Sequence, residues 1–203
     1  MSDELKTDEE RAEELKAWWR DNGTSVIVGV AIAMAGVFGW QQWQEYQTRQ
    51  AESASAQFQQ AQLAETDKVK ALQVVSDEYS STPYAALAAL SAAATASQDD
   101  TATAIGSLKT AMAGKDPNVA TIAKLRLART YIAEGKLGDA ESLLDTKLAV
   151  AYTSLVEELK GDLYVAKEDL DKARAAYDKA ILSAGAEAVQ YLKMKRDNLG
   201  KGA

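Results

Sequence analysis

The side chains that could carry catalysis in this sequence are limited to carboxylates, lysines and serines. Its 203 residues include no histidine and no cysteine. The commonest general base, the commonest metal ligand and the thiolate nucleophile are therefore missing. Two acidic pairs, Asp99 with Asp100 and Glu157 with Glu158, are adjacent in sequence, and adjacent side chains diverge on a helix. Neither pair is placed to share a proton.

The remaining candidate motifs also favour structural functions. Asp169 and Asp171 occupy a predicted helix start, where capping explains their presence. The sequence contains no S-x-x-K, no GxGxxG and no GxxxxGK[ST], so nucleophilic catalysis and nucleotide binding lack a motif. A net charge of −7 excludes a nucleic-acid binder on bulk electrostatics. We predict a protein that is not an enzyme and needs no cofactor or metal.

Composition divides the chain into three predicted segments. Residues 1–23 form an acidic tail, 24–44 a membrane-spanning helix, and 45–203 a helical domain. Residues 22–44 carry no charge, and about 20 residues suffice for a helix to cross a hydrocarbon core about 30 Å thick. The alternative is a buried core helix, because the most apolar stretch, Val26–Trp40, is only 15 residues long.

Aromatic residues decide between these alternatives. They flank both ends of the uncharged stretch, as interfacial belts require, at Trp18, Trp19, Trp40, Trp43 and Tyr46. A cleaved signal peptide is disfavoured, because the preceding segment is long and acidic and bulky residues follow the apolar run. The sequence therefore predicts an uncleaved signal anchor.

Lysine and arginine counts set the predicted orientation. Four basic residues precede the span, and Arg49 alone follows it within about 20 residues, the four being Lys6, Arg11, Lys16 and Arg20. The tail should therefore face the cytoplasm and residues 45–203 should lie across the membrane. Gly29, Ala33 and Gly36 also share one face of the span, where small residues allow another helix to approach closely. General tolerance of small residues in membrane helices explains them equally well.

Residues beyond Tyr46 show helical periodicity throughout. We predict helices at 45–65, 67–80, 83–98, 101–113, 117–134, 137–147, 152–167, 170–183 and 186–199. Their starts suit Pro83 and Pro117, which lose no hydrogen bond in a first turn. Caps are expected at Asp99 or Asp100 and at Asp169, and Gly135 suits a helix end.

The helices repeat. Gly161-x2-Tyr164 with Ala173-x3-Tyr177 has the small-x2-aromatic, Ala-x3-aromatic pattern of a tetratricopeptide repeat. Ala128-x2-Tyr131 and Ala140-x3-Leu144 stand 33 residues earlier. An alanine-rich helical bundle is the alternative, but two halves of the motif in register favour the repeat. The predicted fold is all-α, with an N-terminal transmembrane helix followed by a tetratricopeptide-like α-helical solenoid.

The first helices of stacked repeats line a concave face that commonly binds polypeptides. The predicted partner-binding residues are Ile122, Leu125, Arg129, Ile132, Leu155, Glu158, Asp162 and Val165. We expect Arg129 and Asp162 to fix the direction of the bound chain through charge-assisted hydrogen bonds. The alternative for each residue is internal packing.

The last predicted helix, 186–199, should cap the final repeat. Its apolar stripe is predicted to comprise Ala188, Tyr191, Leu192 and Leu199, with Lys193, Lys195 and Arg196 pointing outward into solvent.

Short matches in order along nearly the whole chain resemble one proteobacterial family. They are Asn22-Gly23, Val28-Gly29-Val30, Gly39-Trp40, YAALAALSAA from Tyr84, LRLAR from Leu125, Met194-Lys195 and Asn198-Leu199. The sequence resembles the YfgM-type ancillary subunits of the Sec translocon. That resemblance implies a single-span inner-membrane protein with a periplasmic tetratricopeptide-like domain. It also implies association with the SecYEG channel and the chaperone PpiD, and action on newly exported polypeptides.

Two functions follow as hypotheses. The first is a non-enzymatic inner-membrane adaptor that links the Sec translocon to periplasmic chaperones through its repeat domain. The alternative is an envelope-stress regulator whose cytoplasmic tail engages a signalling partner.

Overall fold

The computed structural model describes residues 7–96 and 100–200, and all regular elements within these ranges are helical. The chain divides into two compact units, residues 1–49 and 50–203. Helix α1 spans Asp8–Leu63 and contributes residues to both units. The other helices are α2 (Lys68–Glu78), α3 (Pro83–Ala96), α4 (Thr101–Met112), α5 (Pro117–Ala133), α6 (Leu137–Leu144), α7 (Thr153–Ala166), α8 (Leu170–Ser183) and α9 (Ala186–Asp197), with a 3-10 turn at Val150–Tyr152.

The helix prediction is confirmed in number and order for the described residues. The predicted helix 45–65 is the last part of α1, and the predicted positions 97–98 lie outside the described residues. Pro83 opens α3 and Pro117 opens α5, where the missing N–H leaves no hydrogen bond unmade. Local signals therefore place the helix starts in this chain.

Carboxylates cap three of the predicted helix starts, and at one of them Asp116 Oδ1 accepts a hydrogen bond from the Val119 N–H at 3.1 Å. Asp100 Oδ1 accepts a hydrogen bond from the Thr103 N–H at 3.0 Å, and Asp169 Oδ1 accepts one from the Lys172 N–H at 3.2 Å. The Thr103 hydroxyl and N–H lower the pKa of Asp100. The other predicted cap, Asp99, lies outside the described residues.

Equivalent turns follow α5 and α7. Gly135 has φ of 71° and Glu168 has φ of 62°, both in the left-handed region. In each turn the next N–H donates back to a tyrosine carbonyl, from Lys136 to Tyr131 at 2.8 Å and from Asp169 to Tyr164 at 2.9 Å. The same helix-ending geometry thus recurs 33 positions apart.

The repeat-signature residues form the helix contacts that the pattern predicts. The alanines are fully buried, at Ala128, Ala140, Ala173 and Ala180. A Cβ on Gly161 would overlap the ring of Tyr177, so only glycine allows this approach between α7 and α8. Sequential helices pack on each other from α2 to α9, and α5 also packs on α3 and α7. The predicted tetratricopeptide-like fold is confirmed.

Candidate protein-binding surfaces

Helix α1 supplies the apolar surface of the first unit. Within residues 7–96 and 100–200, α1 is the one helix long and apolar enough to cross a membrane. Its large apolar side chains are exposed, including Ile27, Val30, Ile32, Val37 and Phe38. Exposure of such side chains along a helix is expected where lipid, rather than protein, surrounds it. The finding fits a single-span membrane protein.

The small-residue face of α1 is open. Apart from the adjacent residues and the backbone of α1 itself, no heavy atom lies within 4 Å of a Cβ placed on Gly29 or Gly36, and Ala33 between them is exposed. Gly23 differs, because a Cβ there would lie 3.2 Å from Cε2 of Trp19. The face at Gly29, Ala33 and Gly36 has the shape that a closely packed helix requires. Its use by a partner stays a prediction.

The four predicted binding residues of α5 are divided between core and surface. Leu125 is buried, and Ile132 packs half-buried against the same core. Ile122 is also half-buried. Arg129 is the exposed member of the set, with 57% of its side chain accessible. Of these four, Arg129 has the accessibility that contact with a partner needs.

The four predicted residues of α7 are divided differently. Leu155 and Val165 are 45% and 37% exposed, so they remain available on the surface. Glu158 is buried and Asp162 is half-buried, and both carboxylates are bound within the chain. Apolar contact is therefore the interaction that α7 offers to a partner.

Lys195 of α9 binds both carboxylates. Its Nζ donates to Glu158 Oε1 at 2.9 Å and to Asp162 Oδ2 at 2.8 Å. The Tyr177 hydroxyl donates to Asp162 Oδ1 at 2.5 Å, and Nζ lies 5.3 Å from the ring centroid of Tyr191. We call Lys195, Glu158, Asp162 and Tyr177 the Lys195 cluster. It ties the last helix to the last repeat.

The environment of this cluster shifts two pKa values. Burial alone would lower the pKa of Lys195, but the hydrogen bonds to Asp162 and Glu158 outweigh it and raise that pKa above its usual value. Burial, followed by the hydrogen bond to Asp162, raises the pKa of Tyr177 well above its usual value. Lys195 is therefore charged and Tyr177 neutral at physiological pH.

The predicted orientation of α9 is partly wrong. Lys195 points inward, with 19% of its side chain accessible, rather than outward. Tyr191, predicted in the apolar stripe, is 50% exposed, whereas Leu192 is fully buried as expected. The carboxylates of α7 compensate the burial of the ammonium group, and a stripe assigned from hydrophobicity alone omits such a pair.

A cleft of about 470 Å³ lies between α3, α4 and α5. We call it the α3–α5 cleft. Its lining combines the buried apolar side chains of Ala93, Ala104 and Leu108 with Arg126 and Arg129. Of these lining residues, Arg129 alone is among the predicted partner-binding residues. Arg126 stands one turn earlier on α5, so the spacing of the two arginines was the available signal.

Acidic side chains do not gather into a metal site in the described ranges 7–96 and 100–200. No group of three or more potential ligands is placed there to hold an ion. The carboxylates of the Lys195 cluster instead face an ammonium group at 2.9 Å or less.

The repeat fold has a counterpart among known protein families. The family model described as a tetratricopeptide repeat-like domain matches residues 16–201, which include both the apolar helix and the repeats. The chain belongs to this family. The match begins within α1 at residue 16, so it covers the apolar helix and the helical domain together.

Three relatives carry one description, ancillary SecYEG translocon subunit. The chain is 33% identical to the relative from Aggregatibacter actinomycetemcomitans, over 95% of its own length and 97% of the relative's. The relative from Haemophilus influenzae is 31% identical, over 95% of this chain and 97% of the relative. The relative from Escherichia coli K12 is 28% identical, over 96% of this chain and 97% of the relative. No solved structure matches the chain. The predicted resemblance to ancillary translocon subunits is confirmed.

Proposed function

We propose that this protein is a non-enzymatic ancillary subunit of the bacterial Sec translocon. The observation that carries the proposal is the end-to-end match to relatives of that description, which spans the membrane helix and the repeats together. A shared anchor and a shared binding domain imply a shared place of action. The lack of histidine and cysteine supports a role in binding rather than catalysis.

The anchor and the domain have separate tasks in this proposal. The open face at Gly29, Ala33 and Gly36 packs against a membrane helix of the SecYEG channel. The helical domain lies in the periplasm, as the excess of basic residues before the span favours. There it binds a membrane-anchored chaperone, PpiD, and polypeptides emerging from the channel.

The exposed parts of the concave face supply the contacts in the periplasm. Leu155 and Val165 offer apolar surface on α7, and Arg129 offers a charge on α5. A few exposed apolar residues beside a guanidinium suit an extended or helical polypeptide. Leu125 and the Lys195 cluster hold the scaffold in shape, because their side chains are engaged inside the domain.

Site-specific photo-crosslinking in growing cells tests this proposal. A crosslinker at Ala33 should capture a translocon subunit, and one at Leu155 should capture PpiD or exported chains. Lys109, which is exposed on α4 and outside the α3–α5 cleft, is the control position. Equal capture from Lys109 and Leu155, or no translocon adduct from Ala33, would contradict the assignment.

A further inference from the structure

The charged side chains at the α3–α5 cleft indicate which kind of partner segment it binds. We infer that the α3–α5 cleft binds an acidic segment of a partner protein, with carboxylates on the two arginines and an apolar side chain in the cleft. This inference rests on the proposed function and specifies the ligand of its binding domain. The opposite possibility is a basic partner, attracted by the carboxylates of α7.

Two carboxylates of α7, those of Glu158 and Asp162, are bound by Lys195 within the domain. Lys195 Nζ lies 2.9 Å from Glu158 Oε1 and 2.6 Å from Asp162 Oδ1. The accessible fractions of the two acidic side chains are 11% and 23%. A basic partner would have to displace α9 to reach them. Glu158 and Asp162 are thus not available to a basic partner.

The guanidinium groups of Arg126 and Arg129 on α5 line the cleft and are accessible to a partner. Arg126 is exposed and has no ion-pair partner among residues 7–96 and 100–200. Arg129 Nη2 lies 3.9 Å from Glu158 Oε1, but that oxygen already accepts a hydrogen bond from Lys195. Two guanidiniums one turn apart can each bind a carboxylate through paired N–H donors. Two accessible guanidinium groups without a close carboxylate partner among the described residues favour an acidic occupant.

The floor of the cleft suits the apolar side chain of this occupant. Ala93, Ala104 and Leu108 are at most 3% exposed and provide an apolar floor beside the arginines. Thr101, the first residue of the 12-residue helix α4, also lines the cleft, next to the Asp100 carboxylate that caps this helix. The cleft also contains the carboxylate of Glu134, which lies 4.0 Å from Lys136 Nζ.

A peptide-binding measurement on the full chain in detergent micelles tests the inference. The probe is a short fluorescein-labelled peptide of leucine and alanine with interspersed aspartate and glutamate. Its counterpart has lysine at every acidic position. Fluorescence anisotropy should show the acidic peptide binding about tenfold more tightly, and added salt should weaken it. Equal affinities, tighter binding of the lysine peptide, or no binding of either would overturn the inference.

Charge reversal locates the site. Arg126→Glu combined with Arg129→Glu should weaken binding of the acidic peptide about tenfold or more. The matched control Lys109→Glu, on the exposed surface of α4, should leave it unchanged. Equal losses in both variants would mean a general charge effect and would also overturn the inference. Thermal unfolding by circular dichroism confirms that each variant is folded.

The outcome is separable from that of the proposed function. Capture of the translocon from Ala33 depends on α1 and not on the arginines of α5. A negative peptide result with retained capture would leave the translocon assignment intact and remove only the acidic ligand. Loss of capture from Ala33 with retained peptide binding would remove the translocon assignment and leave the acidic ligand of the cleft intact.

Discussion

Gly161 of α7 lies against the ring of Tyr177 of α8 so closely that a methyl group in place of the glycine hydrogen would overlap the ring. The same tyrosine then extends its hydroxyl to Asp162, at 2.5 Å from Oδ1. One small residue thus sets the distance between the two helices of the last repeat. It also places an acidic side chain where α9 can bind it through Lys195.

Replacing this glycine should destabilise the domain. Gly161→Ala inserts a Cβ into occupied space, and overpacking of a core costs about 1–3 kcal/mol. That exceeds the gain of about 1 kcal/mol that alanine brings to a helix interior. The control is Gly106→Ala in α4, where nothing lies within 4 Å of the added Cβ. Urea unfolding should show a lower free energy of unfolding for Gly161→Ala and a higher one for Gly106→Ala. A higher free energy of unfolding in both variants would refute the packing argument.

The equivalent turns after α5 and α7 predict opposite effects of glycine substitution. Glu168 has a left-handed backbone conformation. This conformation is less favourable by about 1 kcal/mol for any residue that has a Cβ. Glu168→Gly should therefore stabilise the domain by about 0.5 kcal/mol, since glycine also gains entropy in the unfolded chain. Gly135→Ala, 33 positions earlier, should destabilise it by about 1 kcal/mol. The shift in urea midpoint measures both, and shifts of the same sign would contradict the equivalence.

Lys195 is expected to be the most sensitive position of α9. Lys195→Met leaves Glu158 and Asp162 without their cation, and removing one partner of a largely buried pair should cost about 2–3 kcal/mol. Lys193→Met is the control, because Lys193 is exposed on the same helix. Amide hydrogen exchange should show faster opening of α9 in the first variant only. Similar exchange in both would indicate that α9 is held by Leu192 alone.

The same cluster should make the domain sensitive to alkaline pH. The pKa values of Lys195 and Tyr177 are both raised in the folded state. The folded chain therefore keeps protons that the unfolded chain releases above about pH 10, and stability falls as the pH rises through that range. Lys195→Met should show a shallower decline of the melting temperature between about pH 9 and 11. A decline as steep as that of the unmodified protein would exclude Lys195 as its source.

The small-residue face of α1 can be tested by increasing side-chain size. Gly29→Leu with Ala33→Leu should weaken co-purification with translocon subunits in mild detergent, because leucine prevents close helix approach. Membrane insertion should persist, since both changes raise hydrophobicity. Val30→Leu with Ile32→Leu changes exposed residues of similar size and is the control. Unchanged co-purification would mean that the helical domain alone holds the partners.

Local patterns in the sequence determine much of this protein. The uncharged stretch with its flanking tryptophans predicts α1, and the 33-residue recurrence of small and aromatic residues predicts the stacked helix pairs. Proline and aspartate positions predict where helices start. These features depend on residues within one helical turn or on a fixed repeat length, so a single amino-acid sequence contains the information that specifies them.

The direction of individual side chains was decided by tertiary structure. Lys195 points inward because α9 docks at an angle that brings its ammonium onto acidic residues 33 and 37 positions earlier. Leu125 is buried because α5 packs against both α3 and α7. The α3–α5 cleft exists because alanines from separate helices leave space beside two arginines. Burial and charge pairing depend on surfaces that meet only after the helices dock, and periodicity along one helix carries no information about the angle at which they do so.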